Sequence, residues 1–112
     1  MKAVTFIVSI LIMILLSLSA QAGDNELIDA IQHTQKAITA SDGDDVVKYA
    51  ELAKGHANAA KYDKYIKVEN KQMDEGIELL NDAIKEGMEG NLEAARKAAR
   101  DALKLFTKAT ID

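Results

Sequence analysis

The chain has no cysteine, no proline and no tryptophan among its 112 residues. Lack of cysteine rules out the disulfides that many small exported domains use because their cores are small. It also rules out a lipid anchor on a cysteine thiol. What holds the fold together is therefore helix packing, or packing plus a ligand. With proline absent and Ala, Lys, Glu and Leu abundant, the composition favours helix nearly everywhere. Histidine is scarce: His33 and His56 are the two in the chain. Bases are outnumbered, 14 against 18 acids, for a formal net charge of −4. That balance argues against a nucleic-acid partner, whose phosphates need a basic face.

What is present begins with one apolar run. Lys2 precedes "AVTFIVSILIMILLSLS", and "AQA" at 20–22 then puts small residues at the −3 and −1 positions before Gly23. This is the layout of a secretory signal peptide. The run is also near the length that spans a bilayer, so an uncleaved anchor is the alternative. The expectation is a cleaved signal over 1–22, one small domain over 23–112, and a periplasmic or secreted destination. Loss of Lys2 takes the net charge to about −5, and the released domain is expected to have no membrane contact.

Apolar residues recur at helical spacing in four segments, about 26–39, 45–62, 71–86 and 92–110. The first stripe is Leu27, Ala30, Ile31, Thr34, Ala37 and Ile38. The second, Val46, Tyr49, Ala50, Ala53, Ala57 and Ala60, is thin, so its neighbours should approach closely. Met73, Ile77, Leu80, Ala83 and Ile84 form the third, and Leu92, Ala95, Ala99, Ala102, Leu103 and Phe106 the fourth. "SDGDD" (41–45) breaks the first pair, with Gly43 able to turn left-handed and Asp42 or Asp44 able to cap the next helix. "YDKYIKVEN" (62–70) reads as a crossover and "GMEGN" (87–91) as the second turn. "DAIQHTQKAITASDGD" and "EGIELLNDAIKEGMEGN" share an Ala-Ile pair followed by a glycine-and-acid turn, which reads as a repeated helical hairpin. Two such hairpins predict an all-α antiparallel four-helix bundle, expected to be monomeric.

Folding the first two helices back about residues 42–43 brings Asp29 opposite His56, and His33 opposite Leu52. The two histidines are then about one turn out of level, roughly 6 Å of rise. Two imidazoles plus Asp29, with Glu26 or Asp63 ranked behind it, would enclose one metal across the groove. Such a nitrogen and oxygen set suits copper, nickel or zinc. The other reading makes each histidine a solvated boundary residue with an ordinary hydrogen bond. The residues alone leave both open.

Other chemistry falls away. "SDGDD" is too short for a calcium loop, which spreads its ligands over about twelve residues. "GDN" after the cleavage point lacks the third-position histidine of an amino-terminal copper clip. Met73 and Met88 are too few and too distant for a thioether site. The lysine-bearing runs "YDKYIKVENK" and "ARKAARDALK" read as solvated faces. No nucleophile–base pair, phosphate loop or buried carboxylate pair stands out, so catalysis is not expected.

"DAIQHTQKAI", "YAELAKGHANAAK" and "GIELLNDAIKEGMEGN" together resemble the small periplasmic metal-binding proteins of the SmbP type, over essentially the whole mature chain. The resemblance implies a secreted four-helix bundle whose histidines recur about every seven residues and bind divalent transition metals, copper among them. Of the positions where that family carries histidine, His33 and His56 match, whereas Tyr49, Glu86, Asn91, Ala98 and Leu105 occupy others. The functional expectation is a non-catalytic metal buffer or scavenger, with His33 and His56 as primary ligands and Asp29 as auxiliary. The rival is a helical interaction or structural module that kept the bundle and lost the metal.

Overall fold

Polar side chains decide where the first two helices begin. Asn25 Oδ1 accepts a hydrogen bond from the Ile28 amide at 2.8 Å, and Asp42 Oδ1 accepts one from Asp45 at 2.8 Å. Each satisfies an amide that the helix itself leaves free. Glu26 and Asp29 in one first turn, and Asp44 and Asp45 in the other, complement the positive end of the helix dipole. The computed structural model describes residues 25–110, so the signal segment expected over 1–22 lies outside the described residues. Within them run α1 (Glu26–Ile38), α2 (Gly43–Tyr62), α3 (Asn70–Met88) and α4 (Leu92–Lys108).

Each helix packs on its chain neighbours, and α4 closes the ring against α1. The result is the antiparallel four-helix bundle that the hairpin repeat predicts, 37 × 28 × 20 Å in extent. Its interior is alanine-rich: Ala30, Ala50, Ala53, Ala57, Ala60, Ala83, Ala95, Ala99 and Ala102 are fully buried. Phe106, Met73, Leu80 and Val46 supply the bulk. Thr34, also fully buried, donates its hydroxyl to the Ala30 carbonyl at 2.7 Å, so its polarity is satisfied within its own helix.

Ile77, Ile84, Tyr49 and Leu92 lie half-buried at the margin of this core rather than inside it. For the two isoleucines, both on α3, the reason is glycine. Gly76 and Gly87 face inward on α3, and a Cβ at Gly76 would come within 2.5 Å of Phe106 Cε1. Phe106 thus takes the centre of the α3 face and turns the isoleucines to its edges.

The two turns are closed by different means. After α3, Gly90 takes φ +80°, the Asn91 amide returns to the Glu86 carbonyl at 2.8 Å, and the Gly90 amide returns to Gly87 at 3.1 Å. This pairing is a Schellman closure, which needs a left-handed residue. After α1 no residue turns left-handed, contrary to the expectation for Gly43, which instead opens α2. The Ala40 carbonyl is held from outside, by the Arg96 guanidinium of α4, with Nε at 3.0 Å. Gly43 serves packing: a Cβ there would collide with the Gly87 carbonyl, so the two glycines let α2 and α3 meet backbone to backbone. At the other end, the 63–69 crossover is tied to the end of α4 by the Glu69 amide on the Ala109 carbonyl at 2.9 Å and by a bridge between Val68 and Thr110.

Two glycine replacements separate packing from propensity. Gly55 is exposed on α2 with open space where a Cβ would lie, so Gly55→Ala should stabilise the protein by about 0.5–1 kcal/mol. Gly87→Ala places a methyl 2.8 Å from Val47 Cγ2 and 2.9 Å from the Gly43 carbonyl, and should destabilise by about 1–3 kcal/mol. Urea titrations of both variants check the opposite signs.

Candidate metal centre

The chemistry-bearing side chains gather where α1 begins. Glu26 and Asp29 are three residues apart in the first turns of α1 and share one face. Antiparallel α2 brings His56 across to them. His56 Nδ1 lies 2.7 Å from Glu26 Oε2 and 3.9 Å from Asp29 Oδ2. One donor atom from each of Glu26, Asp29 and His56 falls within 4.8 Å of the others. All three side chains are partly open to solvent, at 38%, 30% and 31% exposure, so an ion has a route in.

His33 stands one turn further along α1. Its ring stacks on that of His56, with centroids 5.1 Å apart and planes within 6° of parallel. Helical side chains lean toward their helix amino terminus. On antiparallel helices His33 and His56 therefore lean toward one another, which closes the offset of one turn. His33 Nδ1 is buried and has no hydrogen-bond partner. Burial, then the His56 ring and then Lys36 push the His33 pKa below its ordinary 6.5, with Asp29 opposing. The imidazole is accordingly neutral at pH 7, the form that offers a lone pair to a metal.

The structure thus brings Asp29 and His56 together and joins Glu26 to them, while His33 adjoins the group through its ring stack. Glu26, ranked behind Asp29 on helix level, makes the shortest contact to His56. Its longer side chain reaches a level that the straight-rod register assigns to another residue. The signal was its position three residues before Asp29 on the same helix face. Asp63 is turned elsewhere: its Oδ1 accepts the Tyr65 amide at 2.8 Å in the crossover. Leu52, expected opposite His33, is exposed.

One imidazole nitrogen and two carboxylate oxygens form a chemically sensible set for a borderline divalent ion. An all-helical bundle whose first hairpin pools such donors is the framework of a small metal-binding protein. The chain belongs to the small metal-binding protein family, whose family model matches residues 1–109. No curated protein and no solved structure matches the chain.

The depressed His33 pKa sets a direction for stability against pH. Protonating His33 is harder in the folded than in the unfolded chain, so the unfolded state takes the proton first. Its contribution is complete above the ordinary pKa of 6.5 and is lost as pH falls from there toward the lower folded value. Metal-free melting curves between about pH 7.5 and 5 should show stability falling, and His33→Gln should flatten that dependence.

Proposed function

We propose that the protein binds a divalent transition-metal ion between α1 and α2, with His56 as nitrogen donor and Glu26 and Asp29 as oxygen donors. His33 is the fourth candidate donor, its neutral ring stacked on His56 and its Nδ1 without a protein partner. The observation that carries the reading is the convergence of three donor atoms within 4.8 Å from two different helices. Mixed nitrogen and oxygen ligation suits copper, nickel or zinc, and the usual order of affinities puts Cu(II) first. Partial exposure of the donors fits an ion that is taken up and given back, so the role is that of a metal buffer or scavenger rather than a catalyst. The apolar run and "AQA" before Gly23 support an exported protein working in the periplasm or outside the cell.

Calorimetric titration with Cu(II), Ni(II) and Zn(II) tests this directly. The unmodified protein should bind one ion, and Glu26→Gln/His56→Ala should lose at least about tenfold in affinity, the minimum expected when a donor is removed. His33→Ala, titrated separately, shows whether the second imidazole ligates. Because bound imidazole must be deprotonated, affinity should weaken as pH falls below about 6. Equal heats from the native and doubly substituted proteins would remove these residues from the site.

Metal should also act as a staple between α1 and α2. At free ion about a hundredfold above Kd, linkage stabilises the folded state by about 2.7 kcal/mol. Thermal melts with and without Cu(II) should show that shift in the native protein and not in Glu26→Gln/His56→Ala.

A further inference from the structure

The stacked histidines constrain what each ring can do. An imidazole nitrogen offers its lone pair in the plane of its ring, so an ion that it holds lies in that plane. The His33 and His56 planes are within 6° of parallel, and the rings are stacked with centroids 5.1 Å apart. Planes stacked in this way share no point near either ring. One ion therefore cannot lie in both while the stack persists.

The donor atoms point to the same division of roles. Those that lie within 4.8 Å of one another belong to Glu26, Asp29 and His56, and His33 contributes none to that group. His56 is held on two sides. Its Nδ1 lies 2.7 Å from Glu26 Oε2 and 3.9 Å from Asp29 Oδ2, and its face lies against His33. Turning the His56 ring over would exchange its two nitrogens, but the turning edge sweeps through space that the His33 ring fills. His33 is itself seated in the hairpin, with its Nδ1 buried and the next two residues, Thr34 and Gln35, buried beside it on α1.

We propose that His33 is a positioning residue for the metal centre rather than its fourth donor: its stacked ring keeps His56 Nδ1 turned toward Glu26 and Asp29, and the ion is taken at that nitrogen. The protein then supplies one nitrogen and two oxygens, and the partial exposure of all three side chains leaves the rest of the ion's shell to solvent. The ion in this inference rests on the metal reading above, whereas the hold of His33 on His56 exists without one.

Long-range proton–nitrogen NMR on the unmodified protein, free and with Zn(II), tests this without any substitution. Zn(II) should produce a coordination shift at His56 Nδ1 and none at either His33 nitrogen. A coordination shift on His33, or at His56 Nε2, would overturn the proposal. His33→Phe keeps a stacking ring and has no donor, so it should bind Zn(II) within about twofold of the native protein, while His33→Ala should lose about threefold, the scale of one aromatic contact. A loss of about tenfold or more in both, the mark of a removed donor, would also overturn it. In the metal-free protein at about pH 8, above the ordinary imidazole range, His56 should carry its proton on Nδ1 in the native and His33→Phe chains and divide it between both nitrogens in His33→Ala. A His56 proton unmoved by His33→Ala would overturn the positioning role whether or not the ion binds. A native protein that takes up no Zn(II) would instead overturn the metal reading, and the proton pattern alone would then decide whether His33 holds His56.

Discussion

The close approach of helix backbones is the constraint on which the rest of the molecule depends. Among the described residues, eleven fully buried alanines and the Gly43–Gly87 contact leave little side-chain volume between the helices. Short side chains contribute little hydrophobic transfer energy each, so the bundle relies on dense contact rather than bulk. Phe106 over Gly76, with Met73, Leu80 and Val46, supplies the bulk that fills the centre. The same closeness sets the geometry of the candidate metal centre. A carboxylate on α1 reaches an imidazole on α2 at hydrogen-bond distance because nothing large separates the helices.

Electrostatics at the candidate centre favours a cation. Glu26 and Asp29 place negative charge beside His56, while burial and the neighbouring ring disfavour a charge on His33. A divalent ion of the kind proposed would meet that negative charge and would need deprotonated imidazole, so its binding would depend on pH.

Much of this architecture was legible from residue spacing. Long alanine and leucine stripes without proline specify four helices, and the acidic glycine turns mark where they reverse. The pairing of Asp29 with His56 followed from counting residues away from the first turn. What escaped was finer. From sequence Gly43 reads as a turn former because glycine usually serves there, and only the neighbouring helix shows that its missing Cβ makes room for Gly87. Register ranks Glu26 behind Asp29 because it treats helices as rods and ignores reach. The stacking of His33 on His56 depends on the lean of side chains, which residue numbering does not carry.

The grip of Arg96 on the Ala40 carbonyl has a consequence for how the two halves relate. The carboxy-terminal hairpin closes its own turn with Gly90, whereas the amino-terminal hairpin borrows its closure from the other half. The duplicated units are therefore not interchangeable. A chain cut before Arg96 would lose one helix and also unfasten a bend more than fifty positions upstream, the separation of the bonded pair being 56. The donor-bearing half is complete only once its sibling has been made.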